Sequence, residues 1–147
     1  MSRQKFSRVA CVVALVLLLV GCGQKKTYQV EVRNDTRRPF TLWLTKDGPP
    51  TEEGWLAPED LAASRAEREL QYDFQVVEPT RTGYTGKLAG EFPKGTNAVL
   101  RVYDGTPNYL DMAKAGAAGR ADHVLKPGNN RLRVSEQSGQ LVIRPAK

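Results

Sequence analysis

Cysteine and histidine are scarce in this chain of 147 residues, which holds two cysteines, Cys11 and Cys22, and one histidine, His123. A structural zinc site draws on about four cysteine or histidine ligands, so no metal site is expected. Cysteine count argues against a disulfide as well, because Cys11 lies inside an apolar run and leaves Cys22 without an intramolecular partner. Beyond residue 21 the serines are Ser64, Ser135 and Ser138, and none stands in a Gly-x-Ser-x-Gly elbow. Gly83, Gly86 and Gly90 do not match a phosphate-cradling fingerprint, and Asp104, Asp111 and Asp122 form no dense Asp-x-Asp calcium loop. No cofactor and no catalytic residue is assigned. Long apolar runs are missing too. The stretch Val9–Val20 would span roughly 18 Å as a helix, against a hydrocarbon core of roughly 30 Å.

The first 22 residues carry the clearest signal in the chain. Arg3, Lys5 and Arg8 precede the apolar run without an acid among them, the charged-then-apolar order of a secretory signal. The run ends in Leu19-Val20-Gly21-Cys22. Charge, hydrophobic length and these four residues together resemble the bacterial lipoprotein signal. The resemblance implies that residues 1–21 are removed and that the Cys22 thiol carries lipid as the first mature residue. Several acyl chains make a durable anchor where one holds only reversibly. Gly23 stands where the family's inner-membrane retention signal would place Asp, which favours the outer membrane.

Removing the three basic residues of the signal lowers the formal net charge from +6 to +3. No charge block remains that argues for nucleic acid, and export makes that partner incongruous. Residues 22–27 are expected to be a lipidated cysteine and polar tether, and five residues at roughly 3.3 Å each reach about 17 Å. Lys25 and Lys26 either solubilise this tether or touch anionic head groups.

Residues 28–147 read as one domain. Tyr28, Val30 and Val32 alternate with Gln29, Glu31 and Arg33, Phe40, Leu42 and Leu44 alternate with Thr41, Trp43 and Thr45, and the pair is expected to form an antiparallel hairpin across Asn34–Arg38. The phrase Val32–Phe40 is similar to the opening of several small β-sandwich modules. Leu70, Tyr72, Phe74 and Val76 predict another strand, and Tyr84, Leu88 and Phe92 an extended segment with a bulge or bend near Gly86 and Gly90. Ala98, Leu100 and Val102 oppose Val99, Arg101 and Tyr103, the pattern of a central strand with a partly covered second face. Strands are also expected around Val124, Leu132–Val134 and Leu141–Ile143. Two helices interrupt them, one from Pro58 to about Glu67 and one over Tyr109–Ala115 capped by Asn108. The predicted fold is all-β with two short helical insertions, an antiparallel β-sandwich of immunoglobulin-like or prealbumin-like type.

Trp43, Trp55, Arg101, Tyr103 and Tyr109 are the candidate ligand-binding residues. Aromatics beside polar groups stack on sugar rings or anchor protein interfaces. They also close sandwich ends or pack beneath helices. Arg101 and Tyr103, two apart on one strand, could share an acidic ligand or belong to a cross-strand ion pair. The expected function is that of a non-enzymatic envelope lipoprotein, held in the membrane by its lipid, with a β-sandwich that binds a partner protein or supports an assembly. A glycan-binding module is the alternative. A carboxylate hydrolase would require two of Glu52, Glu53, Glu59 and Asp60 to meet in a cleft.

Overall fold

The computed structural model describes residues 23–64 and 75–147. Among the described residues nine strands form two sheets, with two short helices laid over one of them. The first sheet contains β1 (Gln24–Asn34), β4 (Thr82–Tyr84), β5 (Leu88–Phe92), β8 (Gly128–Gln137) and β9 (Gln140–Pro145). The second has β3 (Gln75–Val77), β2 (Phe40–Asp47), β6 (Asn97–Asp104) and β7 (Arg120–Val124), in that spatial order. Every pairing is antiparallel except β1 with β8, which run parallel from Tyr28↔Gly128 to Asn34↔Val134. The architecture is the all-β sandwich that the alternating patterns predict.

Between the sheets, Val30 and Val32 of β1, Phe40 and Leu42 of β2, Leu100 and Val102 of β6, and Val134 of β8 are fully buried. These are the inward positions of period-2 strands, and burying each large aliphatic side chain contributes roughly 1.5–3 kcal/mol. The second face of β2 and β6 is covered as well. Helices α1 (Pro58–Ser64) and α2 (Tyr109–Ala115) pack side by side above it. Leu61 and Met112 descend from them onto Trp43 and Tyr103, with Leu56 at the margin. Asn108 caps α2 by accepting from the Asp111 backbone N–H at 3.0 Å.

The hairpin expected from β1 and β2 does not form, because the two strands belong to opposite sheets. Alternation places Val32 and Phe40 toward a common core. It does not say whether their strands lie edge to edge or face to face, and here they lie face to face. The buried Asn34 side chain holds the crossing: it donates to the carbonyls of Arg38 (3.0 Å) and Val77 (2.8 Å) and accepts from the N–H and hydroxyl of Thr36, both at 2.8 Å.

The segment marked by Tyr84, Leu88 and Phe92 is two strands lying along one edge of β1. β4 pairs with Glu31–Arg33 and β5 with Gln24–Tyr28. At the break between them Val30 N–H donates to the Thr85 hydroxyl at 3.0 Å, and Thr85 N–H donates to the Val30 carbonyl at 2.9 Å. Residues 24–27, read from sequence as tether, are thus already strand. Of the strand expected over Leu70–Val76, residues 70–74 lie outside the described residues, as do the end of the first helix, the signal segment and Cys22.

Candidate functional site

The helix-covered face of the second sheet gathers three of the candidate residues. Trp43 projects from β2 and Arg101 and Tyr103 from β6, on the face opposite the inter-sheet core. Trp43 and Tyr103 are 3% and 1% exposed, and the Trp43 indole N–H donates to the Leu56 carbonyl at 2.9 Å. Trp55 lies elsewhere, at the margin of the inter-sheet core. It is 3% exposed, edge-on to Tyr28 and Phe92 at centroid distances of 5.6 and 5.1 Å, and its indole donates to the Ala89 carbonyl at 3.1 Å. Tyr109, at the start of α2, is exposed beside the equally exposed Leu110. Of the two roles open to these aromatics, ligand stacking and packing, burial at Trp43, Trp55 and Tyr103 fits packing. Their rings do the packing beneath helices and at the sandwich margin, and Tyr109 alone of the four presents its ring to solvent.

Arg101 does not stand free for a ligand. Its guanidinium donates to Glu59 of α1 at 2.7 Å, and Arg120 of β7 reaches the other oxygen of the same carboxylate at 3.0 Å. Arg120 also pairs with Asp122 at 2.8 Å. Two guanidinium groups and two carboxylates thus tie α1 to β6 and β7. Burial works to raise the Glu59 pKa. A backbone N–H and the charges of Arg101 and Arg120 outweigh it and hold the carboxyl below its ordinary value. Such a carboxylate is a fixed anion, not a proton donor near neutrality. Burial pushes the Tyr103 hydroxyl up, an effect that neighbouring Arg101 partly offsets. Among the described residues, the Tyr103 hydroxyl and Arg101 Nε find no hydrogen-bond partner.

Glu52 and Asp60 have structural tasks as well. Glu52 accepts from the nearly buried Lys46 ammonium at 2.8 Å and from the Glu91 backbone N–H at 3.0 Å, which pins the 48–57 loop to β5. Burial would raise its pKa, but Lys46 and the Glu91 N–H lower it overall. Asp60 accepts from the Ala57 N–H at 3.0 Å, closing the entry to α1. His123 and Asp122 occupy opposite faces of β7: His123 is aligned with inward-facing Leu100, whereas Asp122 joins Arg120. Burial lowers the His123 pKa. Among the described residues no three His, Cys, Asp or Glu side chains come together as a metal site.

One surface escaped the sequence reading. On the uncovered face of the first sheet, Arg33, Arg133 and Arg144 lie directly abreast on β1, β8 and β9. They are 100 and 11 positions apart in the chain, so no charge run announces them.

No protein-family model and no curated protein matches this chain. Among solved structures it is similar to the T6SS lipoprotein TssJ1 from Pseudomonas aeruginosa, with 14% sequence identity and a TM-score of 0.33 over 84% of this chain and 100% of that one. A likeness at that level assigns no role to the residues described above.

Proposed function

We propose that the chain is the precursor of a non-enzymatic, lipid-anchored envelope protein whose β-sandwich binds a partner protein. Residues 1–21 serve as the signal peptide, Cys22 becomes the acylated first residue, and the outer membrane is its site because Gly23 follows the cysteine. The observation that carries this reading is the junction of anchor and fold. Gln24 is already paired with Phe92, so Gly23 alone separates Cys22 from the sheet. At about 3.3 Å per residue, the sandwich sits roughly 7 Å from the lipidated residue. A domain on so short a leash works at a membrane surface.

The helix layer faces away from the uncovered sheet and carries the exposed pair Tyr109 and Leu110, which we assign to the partner. A Tyr beside an aliphatic residue offers large, stiff contact area with a hydrogen-bonding tip. The tied acids Glu52, Glu59 and Asp60 support the non-enzymatic role. The test is a Cys22→Ala chain compared with the wild type by lipid labelling and membrane fractionation, joined to photocrosslinking from position 109. We expect loss of label, release from membranes, and one recurrent envelope protein captured by the wild type. Retention of label in Cys22→Ala would contradict the anchor. Recurrent capture of polysaccharide instead of protein would turn the reading toward a glycan module.

A further inference from the structure

We infer that the uncovered face of the first sheet lies against anionic lipid head groups. This inference rests on the lipid anchor proposed above and adds an orientation to it. Neighbouring strands set Thr82, Arg33, Arg133 and Arg144 in one row across β4, β1, β8 and β9. Directly paired residues project from the same face, and like charges set opposite each other are destabilising. The row is only partly neutralised. Asp35 bridges two of its members, at 3.0 Å from Arg33 Nε and 2.6 Å from Arg133 Nε, while among the described residues Arg144 has only the neutral Gln137, at 3.1 Å. In the next row Arg131 is 3.5 Å from Glu31. Four arginines are thus answered by two carboxylates on a face that, among the described residues, no helix covers. Arg33, Arg131 and Arg133 expose between half and three-quarters of their side chains.

A folded sheet that tolerates this repulsion is relieved when anions meet it. The occupant follows from where the chain begins. β1 carries Arg33 and starts at Gln24, two residues after the cysteine assigned to the lipid, so the bilayer is the nearest anionic surface this face can meet. Guanidinium groups bind phosphate oxygens bidentately, and each basic residue at an anionic surface contributes about fivefold to the binding equilibrium. With a single glycine at the hinge, the sheet can lie down on the head groups. The two helices then face outward.

The experiment uses the mature lipidated chain on vesicles of phosphatidylethanolamine with phosphatidylglycerol, and on vesicles with phosphatidylcholine in place of the anionic lipid. A fluorophore is placed at Ser135→Cys on the arginine face or at Ala63→Cys on α1, and quenching by head-group-labelled lipid is recorded. Mass spectrometry of the same sample reports acylation. We expect strong quenching at position 135 on anionic vesicles, little at 63, and loss of the difference on neutral vesicles or in high salt. The combined Arg33→Gln, Arg133→Gln, Arg144→Gln variant should stay acylated and attached, with its face-down to face-up ratio reduced on the order of a hundredfold. An acylated, attached protein with equal quenching at both positions, or a triple variant that behaves as wild type, would overturn the inference while leaving the anchor intact. So would crosslinking from position 135 to an acidic protein in place of lipid. A sample without acyl mass that fails to attach would overturn the anchor itself, and the inference with it.

Discussion

The Asn34 side-chain amide donates to the Val77 carbonyl at 2.8 Å, joining the end of β1 in one sheet to the end of β3 in the other. Asn34 is completely buried and also serves Arg38 and Thr36, so it fixes the path by which the chain leaves one layer and enters the next. Asn34→Ala leaves two carbonyls and the Thr36 N–H short of a partner and should cost roughly 2–4 kcal/mol. Thr36→Val, which removes one hydroxyl from the same cluster, should cost about 1 kcal/mol. Urea unfolding midpoints measure both, and equal losses would contradict the central place given to Asn34.

Lys46 and Glu52 form the second inter-element tie. The Lys46 side chain is 2% exposed and lies 5.3 Å from the centre of the Phe92 ring, so its charge depends on the Glu52 carboxylate and the Glu91 carbonyl. Glu52→Gln should destabilise by roughly 2–3 kcal/mol, reduced from the fully buried case because Glu52 is partly solvated. Lys46→Met combined with Glu52→Gln should lose less than the sum of the single changes. A double-mutant cycle by chemical denaturation checks this, and strict additivity would show that the pair is not coupled.

Gly90 has no side chain because none fits. A Cβ there would stand 2.5 Å from the Trp55 indole nitrogen and 2.6 Å from Glu52 Oε2. Gly90→Ala should therefore push Trp55 out of its slot between Tyr28 and Phe92, costing about 1–3 kcal/mol and changing the near-ultraviolet dichroism of the tryptophans. Gly86, with open space around its Cβ direction, is the control and should tolerate Ala. Equal effects at the two positions would contradict the packing.

Acid should weaken the fold in two stages. His123 has its folded pKa lowered by burial from 6.5, so the unfolded chain binds its proton first and stability falls as pH drops below about that value. Glu52 and Glu59 have folded values below 4.5 through their cationic partners, against burial. Their contribution is complete above the unfolded value and disappears as pH falls through the folded ones. Thermal midpoints recorded from neutral to acid pH should decline throughout, and His123→Gln should flatten the upper stage alone. A midpoint that rises on acidification would reverse the assigned signs.

Much of the sandwich is legible in residue order. Phe40, Leu42 and Leu44 against Thr41, Trp43 and Thr45 announce a strand, and Ala98–Tyr103 announces one with a partly covered second face. Alternation assigns a side chain to a face without saying what covers that face. Trp43 therefore reads either as a ligand-stacking ring or as the floor beneath α1 and α2. Nor does it distinguish pairing within a sheet from packing between sheets, which is why β1 and β2 looked like a hairpin. Asn34 stood out as turn chemistry, although its reach to Val77, 43 positions away, depends on the finished fold. The arginine row was invisible for the same reason, since strand order brings Arg33, Arg133 and Arg144 together and local sequence does not.

Attachment to the membrane depends on what stands at the start of the mature chain. Mass spectrometry of the N-terminal peptide from membrane-extracted protein tests it directly. The predicted result is a chain beginning at Cys22 and carrying the mass of a diacylglyceryl group, with or without a further acyl chain. A chain that begins elsewhere, or begins at Cys22 with an unmodified thiol, would contradict it.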